Sequence, residues 1–255
     1  MPSFIVHSIA GREISKYLSL NKEEENLFFL GNLLPDAVNV DRNNNLSDNE
    51  TRHVIQSQKR ITHFRTSTDR VLQVPDLDYF LSKYKDYVSK DIVVFGYFFH
   101  LYTDYYYFSK FLSKMLTFLD KDYNEVFLRS ENVYIKINKT NDILEKPLFW
   151  SKKNPNGIYG DYNRLNNYLV KKYNFSFDYD NYFEVFNSNK FNNIIIEANT
   201  DCMNKLLVEL NNFYIESLKC KIDDFKIFNP SDVDLLIQDI ITSFLEEYKD
   251  ILYVR

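Results

Sequence analysis

FGYFFHLYTDYYYF, residues 95–108, decides the fold. The run is aromatic and apolar on several faces, so it reads as a buried helix. Yet it carries His100 and, one helical turn later, Asp104. That spacing puts the imidazole and the carboxylate on the same face, close enough to share a ligand. The chain has 4 His in 255 residues, so the position of the other three matters.

Working outward, the whole stretch KDIVVFGYFFHLYTDYYYFSKFLSKMLTFL is expected to form one or two long helices at the centre of the fold. The chain is 45% hydrophobic and 17% aromatic, ample for a packed core. With only 5 Gly and 6 Pro it has few breakers, which favours long helices over many short strands. Residues 7–19 have helical spacing, and Asn21 with Glu24 is a capping-box pattern for a helix from about 22 to 34, ended by Pro35. Residues 39–52, rich in Asn and Asp, read as a loop. Residues 53–72 read as a helix or a loop leading into one, and Asp76 starts another helix. The most strand-like segment is 127–149, with one short β-hairpin expected near 130–140. Asp161 stands near the start of a further helix. NYFEVF, residues 191–220 and residues 231–253 are all helix-like, with Ser231 as N-cap of the last. The expectation is one all-α, bundle-like domain over 1–255.

A net charge of −5 argues against a duplex nucleic-acid surface. No stretch of about 20 apolar residues is present, so no membrane span is expected. The N-terminal residues lack the pattern of a signal peptide. Cys202 and Cys220 form neither a CxxC nor a disulfide framework, and the compartment expected is the cytoplasm.

Four segments carry chemistry: His7 in the first helix, Asp36 in GNLLPD, His63 in KRITHF, and HLYTD with His100 and Asp104. Taken singly, each has a plain structural reading: His100 a hydrogen-bonded core residue, Asp104 an exposed turn of its helix, Asp36 a cap after Pro35, and His7 a surface residue near a frayed terminus. Taken together, three of four histidines in apolar helical surroundings are costly unless paired. A shared metal site, holding Zn or alternatively Mn or Fe, and a set of ordinary core residues both stay open.

The ordered set resembles the zinc-dependent phospholipase C family, which shares an all-helical fold with zinc-dependent single-strand nucleases. YGDYNRLNNYL is similar to part of a small cytoplasmic branch of low-GC bacteria described only as hydrolases. The resemblance covers residues 1–170. It implies that His63, His100 and Asp104 hold the principal ion, that Asp36 bridges or acts as general base, and that His7 binds a second ion, giving one to two ions. Family members also carry further histidines downstream, whereas no His follows His100 here. Secreted members use a free N-terminal amine, whereas Met1 precedes His7 by six residues. Asp161 and His53 are candidate replacements, with a helix N-cap and a polar loop residue as their alternatives. Arg65 is a candidate phosphate contact or a solvated surface cation. Tyr107, in the run Tyr105–Phe108, is a candidate pocket residue; two of those four aromatics are expected in the core.

The function expected is hydrolysis of a small-molecule or lipid-like phosphate ester by metal-activated water. The alternative is a metal-stabilised binding protein that kept the fold and lost turnover. An HD-type phosphohydrolase ranks low because no His-Asp dipeptide occurs. The absence of GxSxG and of a Gly-rich loop argues against serine hydrolase and P-loop chemistry.

Overall fold

Asp91 starts the central helix. Its carboxylate accepts from the N–H groups of Val93 and Val94, satisfying donors that the first turn leaves free. The helix α5 (Ile92–Tyr106) that follows is buried at every position from Ile92 to Asp104. In the computed structural model, which describes residues 2–40, 48–67 and 69–253, four helices cover it. These are α1 (Phe4–Ser15), α2 (Lys22–Leu33), α4 (Leu77–Val88) and, from the far end of the chain, α11 (Pro230–Glu247). Between α2 and α4 comes α3 (Asp48–Thr62).

The α2–α5 crossing is the tightest. A Cβ on Gly31 would run into the carbonyl of Val93, and one on Gly96 into the carbonyl of Phe28. Only glycine at both positions lets the two backbones approach this closely. Aromatic rings fill the rest: Phe80 of α4 stacks on Tyr97 and Phe98, and Phe244 of α11 packs against Phe95, Phe99 and Tyr102. Each such ring adds roughly 1.5–3 kcal/mol by burial.

The all-helical expectation holds for most of the chain, and the capping box is present: Asn21 accepts from Glu24 N–H and Glu24 from Asn21 N–H. Several boundaries differ. Helix α1 starts at Phe4, capped by Ser3, and stops at Ser15, so His7 lies in its second turn and residues 16–19 are a turn. The loop expected over 39–52 fails at both ends: Leu34–Val40 is a 3-10 helix and α3 already runs from Asp48, while 41–47 lie outside the described residues. Phe64, at φ 51°, ends the helical path after α3, and the described backbone at 65–67 and 69–76 is non-helical.

The central apolar stretch does not stay helical to its end. After α5 come a π-helical turn (Tyr107–Leu112), the short α6 (Ser113–Met115) and then strand β1 (Leu116–Leu119). β1 pairs antiparallel with β2 (Tyr134–Ile137), and β2 with β3 (Ile143–Glu145), in the order β1-β2-β3. The expected hairpin is therefore β2–β3, with a third strand donated by the apolar run. A short helix α7 (Lys146–Phe149) leads to α8 (Ile158–Lys172) and α9 (Tyr179–Asn187).

Residues 191–199, read as helical, are irregular; a side-chain turn at Asn193 takes the N–H of Ile195. The segment is pinned to α4, where Tyr84 accepts from Ile196 N–H and donates to Glu197, which also pairs with Lys83. Helix α10 (Met203–Ser217) follows. Ser231 is not the cap of α11: Pro230 occupies the first helical position and Asn229 the cap. Of the four aromatics 105–108, Tyr107 and Phe108 are buried and Tyr105 and Tyr106 partly exposed, two of four in the core as expected.

Candidate metal centre

The α2–α5 crossing brings the chemical groups together. Asn32, one residue past Gly31, holds two of them. Its backbone carbonyl accepts from His100 Nδ1 at 2.7 Å, and its side-chain amide donates to the carbonyl of His7 at 2.9 Å. Helix α1 is thereby fixed against α5, and the His7 and His100 rings stack in parallel with centroids 4.0 Å apart. The 3-10 turn after α2 presents Asp36, whose Oδ1 accepts from Asn39 at 2.8 Å. The end of α3 presents His63. Thr62 donates its hydroxyl to the carbonyl of Pro35 and lies 3.0 Å from His63 Nδ1, so that hydroxyl oxygen accepts the His63 Nδ1–H.

These partners assign both tautomers. With Nδ1–H committed on His63 and on His100, each ring turns an Nε2 lone pair inward, and the two nitrogens face each other at 3.4 Å. Asp36 Oδ1 is 3.5 Å from His63 Nε2, and Asp104 Oδ2 is 3.8 Å from it. His7 Nε2 is 3.4 Å from Asp104 Oδ1, and neither atom makes a hydrogen bond. His7, His63, His100 and Asp104 are buried, while Asp36 keeps 16% of its side chain exposed.

The electrostatics suit a cation. Burial pushes His63 and His100 down, so both imidazoles are neutral donors; at His100 the neighbouring His7 adds to the effect. Burial would push Asp36 up, but the Lys59 ammonium and His63 outweigh it and hold the carboxyl well below its ordinary value. Asp104 is likewise lowered against its burial, His7 leading. Lone pairs on neutral imidazoles set among carboxylate anions repel one another unless something positive lies between them. Ligand bonds of about 2.0–2.1 Å put tetrahedral donor atoms about 3.3–3.4 Å apart, close to the separations found here. The residues therefore fit a metal ion. Two donor triads result, His7–His100–Asp104 and Asp36–His63–His100, each with its ligand atoms within 4.8 Å of one another. These buried His and Asp groups can hold a metal ion.

A cavity of about 140 Å³ opens onto the centre at His7, Asp36 and His100. Its walls are mostly apolar: Pro2, Phe4, Leu33 and, from α10, Leu206 and Leu210. The C-terminal third, which bears no motif, thus builds one side of the site.

The other candidates fall as follows. Arg65 is no solvated surface cation: it pairs with Asp104 Oδ2 at 3.1 Å and lies over the Phe108 ring. Tyr107 does not line the cavity; its hydroxyl bonds that of Tyr162 at 2.5 Å. Asp161 is neither ligand nor N-cap. Its carboxylate accepts from the N–H groups of Lys226, Ile227 and Phe228 and pairs with Arg164, leaving nothing for a metal. His53 is exposed on α3, ten residues and about 15 Å of helix before His63, and joins neither triad. Sequence reasoning missed Asn32, Asn39, Thr62 and Lys59. Lys59 lies one turn before His63, and its ammonium is 3.6 Å from Asp36 Oδ1.

No protein family, no curated protein and no solved structure matches the chain. Among the described residues no helix is long and apolar enough to cross a membrane.

Proposed function

We propose that the chain is a metal-dependent hydrolase of phosphate esters, similar in its site to zinc-dependent phospholipases C, with zinc as the preferred ion and manganese or iron as alternatives. One observation carries the metal part: two Nε2 lone pairs, fixed by Asn32 and Thr62, face each other at 3.4 Å between ionised Asp36 and Asp104. The phosphate-ester part rests on the order of the four segments, GNLLPD, THF and GYxxHLxxD after His7, whose side chains meet at one point. A divalent ion held there supplies a bound water of lowered pKa and polarises a phosphoryl oxygen.

The chain's own groups do the rest. Asp36, at the cavity mouth and oriented by Asn39, accepts a hydrogen bond from the attacking water. Because its carboxyl is held low, it orients that water better than it removes a proton. Thr62 and the Asn32 carbonyl keep the imidazole donors turned inward, an outer layer that tunes such centres. The apolar walls exclude bulk water and accept a small ester or one short hydrophobic substituent.

A second reading, an ion that only stabilises a binding protein, is favoured by the near-complete burial of His7, His63, His100 and Asp104. One experiment separates them. Purified untagged protein is dialysed against trace zinc, its metal content measured by mass spectrometry, and its turnover assayed on mono- and bis-p-nitrophenyl phosphate. Wild type is expected to hold metal and turn over; His100→Ala is expected to lose both. Metal without turnover on any ester favours the binding protein. A full metal complement in His100→Ala refutes the site.

A further inference from the structure

We infer that the centre takes a single divalent ion, and that Lys59 and Arg65 supply the positive charge a second ion would bring. The inference rests on the metal reading above and concerns residues that reading leaves without a role.

Both triads require His100. Its Nδ1 is committed to the Asn32 carbonyl, so one nitrogen, Nε2, is left with one lone pair. One lone pair serves one ion. Among the described residues no other grouping of His, Cys, Asp or Glu offers a replacement. Asp161, a candidate replacement by sequence, is saturated by backbone donors and Arg164, and His53 joins neither triad.

The charge count agrees. Asp36 carries the Lys59 ammonium at 3.6 Å on the same oxygen that accepts from Asn39. Asp104 carries the Arg65 guanidinium at 3.1 Å on Oδ2, leaving Oδ1 free beside His7. Two carboxylates are thus already paired with two cations. One divalent ion leaves the cluster with an excess of two positive charges, enough to attract a phosphate. A second would leave four, in a site where no side chain is more than 20% exposed. Charge concentrated out of water at that density is strongly disfavoured. Neither Lys59 nor Arg65 lines the cavity, so both work from behind the carboxylates rather than on the ligand.

The test reads metal binding, not turnover. Chelator-stripped full-length protein is titrated with Zn(II) against a chromophoric competitor, and the metal bound at saturation is counted by mass spectrometry. One ion per chain is expected. In Lys59→Met the count stays at one and the affinity rises at least about tenfold, because a competing cation has gone. That sign is diagnostic: an outer residue that merely positions a ligand weakens binding about 10–100-fold when removed. Lys59 keeps a fifth of its side chain in solvent, so the variant is expected to fold, and Lys59→Gln is the second variant if it does not. Two ions at saturation overturn the inference while leaving the metal centre standing. So does unchanged or weaker zinc affinity in the Lys59 variants. No bound zinc at all removes the centre and this inference together.

Discussion

Gly96→Ala tests the crossing on which the site is built. The added Cβ meets backbone on α2, the carbonyl of Phe28 and the N–H of Asn32, neither of which a rotamer change can move aside. Helices α2 and α5 must separate instead. Overpacking of this kind costs about 1–3 kcal/mol, and the upper end applies because the obstacle is main chain. Separation also stretches the 2.7 Å bond from His100 Nδ1 to the Asn32 carbonyl, a buried bond worth about 1 kcal/mol. Against this, alanine is better than glycine inside a helix by about 1 kcal/mol. The net loss is about 3 kcal/mol, or about 6–12 °C in Tm for a chain of this size. Thermal unfolding followed by circular dichroism measures it. Zinc affinity should fall in the same variant, since the bond that aims His100 is weakened. A Tm within about 2 °C of wild type, with zinc binding intact, refutes the argument that the glycine contact positions the imidazole.

Asp161→Asn should destabilise by about 3 kcal/mol, because charge-assisted acceptance from three main-chain N–H groups is weakened and Arg164 loses its ion pair, yet metal content should not change. A loss of metal at unchanged Tm would make Asp161 a ligand after all. His53→Ala should alter stability by less than about 0.5 kcal/mol and leave the ion count alone, read by the same two measurements. The Glu197 carboxyl is lowered against its partial burial by Lys83 and Tyr84. A depressed carboxyl contributes stability that is full above its unfolded pKa, about 4.3, and is lost as pH falls through the folded value. Wild-type Tm should therefore drop more steeply than that of Glu197→Gln below about pH 4.3; parallel curves would sink the claim.

The side chains that meet at the centre could be picked out in the sequence: His7, His100 and Asp104 lie in apolar helical stretches that have no other use for a titratable group, and Asp36 and His63 stand just past the ends of α2 and α3. The i, i+4 pair His100 and Asp104 declares its own geometry. The parts that aim the donors were not legible. Asn32 acts through a backbone carbonyl as well as its amide, and a carbonyl has no sequence signature. Lys59 reads as one more polar residue on a helix whose exposed face is full of them. Asp161 misled because a carboxylate in the first helical turn is common, while its partners, three N–H groups some 65 residues on, are set by tertiary packing. The end of the central run misled for a related reason: LTFL is as apolar as the helix before it, and only pairing with Tyr134–Ile137 makes it a strand. Residues 191–199 carry helix-length apolar content, but Asn193 closes a local turn first.

The order in which α5 and its cover are made has a consequence for biosynthesis. Phe99 emerges well before Phe244, the ring that seals the outer face of α5 against Phe95, Phe99 and Tyr102. At about 5–20 residues per second, the roughly 145 residues between them keep that face uncovered for about 7–29 s. During that interval the nascent chain displays its most aromatic helix to the ribosome surface and to neighbouring chains. Production should therefore depend on chaperone capacity, and suffer from slow elongation, more than it depends on the stability of the finished fold.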